Sequence, residues 1–123
     1  MLKLLLDEHI SPGVAAGLRR HNQTLVVHAM AEWEGGNYLG QEDAACLREA
    51  TAQGLTLVTY DQRTLMTLLK AWAEEGQEHG GVIFVDEKTI SQVEIGGLVN
   101  SLSRLVREAG KWDWTNRIVF LRR

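Results

Sequence analysis

The chain has 123 residues, 45% hydrophobic and 24% charged, which is the size and make-up of one globular domain that needs no disulfide or metal staple. Its formal net charge of −3 excludes a global basic field, so a polyanionic partner must be met by a local patch or through a cation. The single cysteine, Cys46, excludes an internal disulfide and implies a cytoplasmic setting.

Residues 2–6 read as a first strand. Their apolar run meets Asp7 at once and is too short for a signal or a membrane span, so no membrane association is expected. Ser11-Pro12 starts a helix with serine at the N-cap and proline in the first turn, and Arg19-Arg20-His21-Asn22 ends it with cations at its negative pole. Thr24–His28 is a second strand, and Ala31–Gly40 is a loop around Gly35-Gly36-Asn37. Gln41–Gln53 is a helix with Ala44, Leu47 and Ala50 on one face, and Gly54 stops it. Leu55–Thr59 is a β-branched, apolar run that predicts a central buried strand. A helix follows from about Asp61 to Glu75, then a turn, a strand over Val82–Val85 and a helix over Ile90–Ala109 with Val93, Leu98, Leu102, Leu105 and Val106 inward. Ile118–Leu121 is a last strand whose direction the pattern leaves open. With no repeat, low-complexity tract or linker, residues 1–123 form a single domain. The alternation predicts an α/β fold, a three-layer sandwich around a mostly parallel sheet of about five strands with right-handed crossovers.

Three of these strands run into acids: Leu6 into Asp7-Glu8, Tyr60 into Asp61, and Val85 into Asp86-Glu87. Open α/β sheets place ligands at the carboxyl ends of their strands. Asp43 opens the helix that leads into the central strand, and it joins the acids if the preceding loop folds over the sheet. Two carboxylates about 4 Å apart repel by roughly 4 kcal/mol at an effective dielectric of 20. A cluster therefore needs protons or a cation, and oxygen donors suit Mg²⁺ or Mn²⁺. The plainer reading is that each acid caps a helix or forms a turn, Asp86 and Glu87 above all.

Other residues lie where such a pocket would form. His9 and His28 follow or end strands and could orient a phosphate, or be satisfied by backbone. Thr59 could bond an acid or a substrate, and Arg63 could contact phosphate. Trp33 and Tyr38 could stack bases or pin their loop. Trp112 and Trp114, two apart, anchor the last helix to the core or form an exposed patch for a partner. Cys46 faces the helix interior and is expected to be inert.

The run Gln41-Glu-Asp-Ala-Ala-Cys-Leu-Arg-Glu-Ala50-Thr-Ala-Gln-Gly54-Leu-Thr-Leu-Val-Thr-Tyr-Asp61 resembles the signature of PIN-domain nucleases. In that signature an acid opens a helix, an alanine follows seven residues on, and a glycine precedes Leu-Val-Thr-x-Asp. The opening Leu5-Leu-Asp-Glu-His-Ile-Ser-Pro12 resembles the PIN-like family of unknown function numbered 5615, and Val27-His28 and Gly81-Val-Ile-Phe also fit it. The resemblance covers the chain to about residue 88. It implies a PIN-like fold and a Mg²⁺- or Mn²⁺-dependent ribonuclease, with Asp7, Asp43 and Asp61 at the acidic, catalytic positions. It further implies a toxin paired with a cognate antitoxin protein, RNA as substrate, and leaves a homodimer open. Two positions depart from the pattern. No helix glutamate stands within Ser11–Leu39, where Glu32 and Glu34 fall in a loop, and Arg63-Thr64 replace an expected acid and phenylalanine. Glu8 and Glu42 are the acids that could complete a metal-ligand set.

Two further classes compete with the ribonuclease. One is a catalytically inactive PIN-like module that binds a partner protein, which the missing glutamate favours. The other is a receiver-like phosphoacceptor with Asp7-Glu8 and Asp61 at strand ends, against which the lysine expected after the last strand is absent.

Overall fold

Leu4, Leu5 and Leu6 make strand β1 (Leu4–Leu6), and all three are fully buried. A strand meets that condition only when both faces of its sheet are covered. The computed structural model, which describes residues 1–123, shows how the cover is arranged. After β1 come α1 (Pro12–His21), β2 (Val27–Ala29), a 3-10 turn (Trp33–Gly36), α2 (Asp43–Ala52), β3 (Thr56–Thr59), α3 (Gln62–Glu75), β4 (Val82–Phe84), α4 (Ile95–Ala109) and β5 (Ile118–Phe120). The five strands form one sheet in the order β2-β1-β3-β4-β5, and every neighbouring pair is parallel, β5 included.

Alternate side chains of the strands feed two separate cores. Leu4, Leu6, Val58 and Ile83 join Val14 and Leu18 of α1 and Leu98 and Leu102 of α4 on one face. Leu5, Leu57, Val82 and Phe84 join Leu47 of α2 and Leu65, Leu69 and Trp72 of α3 on the other. The expected three-layer α/β/α arrangement is thus built as α1/α4, sheet, α2/α3.

This arrangement corrects the expectation that all crossovers are right-handed. The connections through α1, α2 and α3 share one hand, since α1 steps one way across the sheet over one face while α2 and α3 step the other way over the opposite face. The connection through α4 steps in the same direction as α3 but over the face of α1, so it has the opposite hand. The reason is cover. Helices α2 and α3 already occupy their face, while α1 alone cannot shield a five-stranded sheet on the other.

Helix α4 also starts later than its apolar pattern predicts, at Ile95 instead of Ile90. Asp86 holds residues 86–90 in a local turn, accepting from Lys88 N–H at 3.1 Å through its carboxylate and from Ile90 N–H at 2.9 Å through its carbonyl. The first helical bond is diverted as well, since Ile90 O accepts the Tyr60 hydroxyl at 2.8 Å and Glu94 N–H donates to Ser91 O at 3.0 Å. Ile90 is buried as an anchor, whereas Val93, expected inward, is 84% exposed. Trp114 is buried, with its indole N–H donating to Ala109 O at 2.9 Å, and so ties the end of α4 to the core. Trp112 stacks on it at 6.1 Å but stays 48% exposed.

Candidate functional site

The carboxyl ends of β1 and β3 lie side by side, and the chain beyond them carries Asp7 and Asp61. The Asp7 carboxylate is fixed by two bonds. Its Oδ2 accepts the Thr59 hydroxyl at 2.6 Å and its Oδ1 accepts Glu8 N–H at 2.7 Å. The same Thr59 oxygen that donates to Asp7 accepts Asp61 N–H at 3.0 Å. One fully buried hydroxyl therefore links residues from the two strand ends. Of the two expected partners of Thr59, an acid or a substrate, the buried hydroxyl bonds the acid.

Asp61 is the N-cap of α3 and accepts Thr64 N–H at 3.0 Å through Oδ1. The capping reading is therefore correct for Asp61, without exhausting it, since Oδ2 makes no bond. Asp86 is likewise a local turn former.

Asp43 reaches the site because its loop is pinned. Trp33 is buried in the α2/α3 core, stacks against Tyr38 at 4.8 Å and donates to Gln53 Oε1 at 3.2 Å. The Gln53 amide in turn donates to Glu34 and Glu49. These bonds fold residues 33–38 back onto α2, which leaves Trp33 unable to stack a base and brings the first turn of α2 to the sheet edge. Burial pushes the Asp43 carboxyl up from its ordinary range, and the charges of Asp7, Asp61 and Glu8 push it further, while His9 opposes them. Four other sequence-predicted residues (Asp7, Asp61, Glu8 and His9) thus act on Asp43. Glu42, His28 and Arg63 are not among the groups that act on Asp43. Glu42 is the exposed N-cap residue of α2 and makes no side-chain cap bond, Arg63 is exposed on the first turn of α3, and His28 is half-buried on β2.

The carboxylates of Asp7, Asp43 and Asp61 offer oxygen only, the donor a hard divalent cation takes. No three of the chain's His, Cys, Asp and Glu side chains stand close enough together to enclose an ion. Mg²⁺ commonly binds through one or two carboxylates plus waters. Cys46, beneath the acids, is pushed up to about 11 by burial and by Asp43, Asp7 and Glu8, and its thiol stays protonated and inert. Tyr60 turns to the opposite face, donates to Ile90 O at 2.8 Å, and is pushed up to about 12 by burial.

At the amino edge stands a group that the sequence reading missed. His79 is 6% exposed. Its Nδ1 accepts Gly81 N–H at 3.0 Å, its backbone N–H donates to Asn116 Oδ1 at 3.0 Å, and its carbonyl accepts Asn116 N–H at 2.8 Å. Desolvation lowers its pKa. The local signal was the Gly80-Gly81 pair. A Cβ on Gly80 would lie 2.7 Å from Leu55 O and one on Gly81 2.7 Å from Trp114 O, so the backbone there is pressed against its neighbours. No helix is long and apolar enough to cross a membrane. Compared with protein-family models, with curated proteins and with solved structures, the chain matches none of them.

Proposed function

We propose that the chain is a Mg²⁺- or Mn²⁺-dependent ribonuclease of PIN-like type, the toxin component of a toxin–antitoxin pair, with Asp7, Asp43 and Asp61 as its working carboxylates. The observation that carries this reading is that Asp43, on a separate element, bears the charge of Asp7 and Asp61 together. Capping accounts for Asp61 alone. Asp7 caps no helix, and Asp43 sits in a first turn that has no side-chain cap bond. A fold that brings the charges of Asp7 and Asp61 to bear on Asp43, with only Asp61 serving as a cap, carries an electrostatic cost that a bound cation would offset.

A Mg²⁺ or Mn²⁺ ion bound there supplies Lewis-acid polarisation of a phosphodiester and a lowered pKa for coordinated water. Asp7, Asp43 and Asp61 would hold it. Thr59 and the Glu8 amide keep Asp7 in one rotamer. Asp61 keeps one oxygen on the helix and presents the other. The expected result is RNA cleavage that requires Mg²⁺ or Mn²⁺ and disappears in EDTA and in Asp61→Asn. Cleavage at full rate under either condition would overturn the reading.

The second reading, a silent module that binds a partner protein, is favoured by a specific observation. The acids at the missing-glutamate segment do not reach the site, because Glu32 and Glu34 are exposed and Glu34 is bonded to Gln53. Titration calorimetry with Mn²⁺ separates the two readings. Binding heat at millimolar metal supports the ribonuclease, and its absence supports the silent module.

A further inference from the structure

The two edges of the sheet are finished differently. On β2, Leu4 N–H bonds to Val26 O and Met30 N–H to Leu6 O, so the backbone groups of Val27 and Ala29 face outward. Both outward carbonyls are occupied. Arg19 donates to Val27 O at 2.7 Å, and Glu32 N–H to Ala29 O at 2.9 Å. On β5 the ladder to β4 uses Arg117 O, which accepts Val82 N–H at 2.9 Å, and Leu121 N–H, which donates to Phe84 O at 2.8 Å. Ile118 and Phe120 therefore face outward, and no side chain or loop bonds to their backbone.

Their side chains are also open. Ile118 is 38% and Phe120 55% exposed, the latter resting on Phe84 with ring centroids 5.5 Å apart. The opposite-handed path of α4 left this face of β5 without a helix. A cavity of about 520 Å³ lies between α3 and Ile118, and one of about 820 Å³ lies between α4 and the strand. An open edge is ordinarily blocked by charge, a bulge or a covering segment. Here charge stands only at its ends. Residues 117–123 hold three arginines and no acid, in a chain of net charge −3; Arg123 is paired with Glu94 at 2.6 Å, while Arg117 and Arg122 make no ion pair.

We propose that β5 takes an extended segment of a partner protein as a sixth strand, with apolar residues at alternate positions and Asp or Glu at its flanks. Main-chain bonds to Ile118 and Phe120 supply the pairing, the apolar residues cover those two side chains, and the acids meet Arg117 and Arg122, the two that make no ion pair. A second copy of this chain fits badly, because antiparallel self-pairing brings Arg117 of one copy towards Arg122 and Arg123 of the other, and like charges across strands destabilise. RNA would satisfy the arginines but leave the apolar side chains and the outward amides unused. The inference is independent of the nuclease reading.

The probe is a synthetic peptide of alternating valine and threonine ended by paired glutamates. Its comparators are the same sequence ended by lysines and a version N-methylated at alternate amides. Calorimetry should show the glutamate peptide binding at least about tenfold, or 1.4 kcal/mol, more tightly than either comparator. Phe120→Lys, a change at a half-exposed site that gives up the Phe84 contact but keeps a cooperative melt, should abolish binding. Failure of the glutamate peptide to bind overturns the proposal, as does equal binding of the N-methylated one. Sedimentation that shows a parent dimer lost in Phe120→Lys would hand the edge to a second copy. An oligoribonucleotide that displaces the peptide would hand it to RNA.

Discussion

Asp43 and His79 are single groups whose environments set opposite responses to pH. Folding raises the Asp43 pKa, so the folded state holds that proton more tightly than the unfolded chain. The resulting stabilisation is fully present below the ordinary carboxylate value of about 3.9 and is lost as pH rises through the raised folded value. Asp43→Asn cannot titrate. In EDTA, urea melts should show the variant gaining on the parent as pH rises from acid to neutral, and a gap that stays constant would mean the carboxyl is not held up by its neighbours. Folding lowers the His79 pKa, so its contribution is present above the ordinary value of about 6.5 and is lost as pH falls through the lowered folded value. His79→Asn keeps an acceptor for Gly81 N–H and removes the titration. The parent should weaken on acidification from about pH 6.5 in a window where His79→Asn stays level, as followed by thermal melts.

Helices α1 and α4 meet where Gly17 faces Val99. A Cβ on Gly17 would lie 2.7 Å from Val99 Cγ2, and clearing it takes the valine out of its rotamer, which a β-branched side chain in a helix resists. Alanine gains about 1 kcal/mol of helix propensity over glycine, while overpacking costs typically 1–3 kcal/mol. With the backbones this close the clash should win, and Gly17→Ala is expected to lose about 1–2 kcal/mol in urea unfolding. Adding Val99→Ala should remove the penalty of the first change, and a cycle with no coupling would sink the account. The local signals for α1 were strong. Ser11 does cap it, accepting Gly13 N–H at 3.1 Å, with Pro12 first in the helix and Arg19-Arg20-His21 in the last turn. The start of α4 was less legible, because Ile90 and Val93 fit a helical period that the Asp86 turn overrides.

For the whole molecule, a bound metal ion should appear as stability. Added Mn²⁺ at a hundred times its Kd should raise the stability of the parent by roughly 2.7 kcal/mol. Asn caps a helix about as well as Asp, so Asp61→Asn keeps the α3 cap while it removes one charge from the cluster. Without metal the variant should be at least as stable as the parent, and Mn²⁺ should do much less for it. Thermal melts of both proteins, each with EDTA and with Mn²⁺, decide the matter. A weakened variant together with a parent indifferent to Mn²⁺ would mean that the acids do not form a metal site.

The sequence by itself determined the elements, their α/β order and the acids at the strand ends, because caps, glycine stops and apolar runs act over a few residues. It also placed Asp7, Thr59 and Asp61 along the carboxyl edge of one sheet, since each lies at the end of a strand, while the pairing of β1 with β3 came from the fold. Tertiary structure alone decided that the Thr59 hydroxyl would bond Asp7 across 52 residues, and that a loop pinned by Trp33 and Gln53 would deliver Asp43 beside them. It alone paired His79 with Asn116 across 37 residues. It alone sent α4 over the face of α1, and with that choice left Ile118 and Phe120 uncovered. Periodicity tells a helix which side to bury. Which surface still needs cover is a property of the assembled sheet, and no short window of the chain contains it.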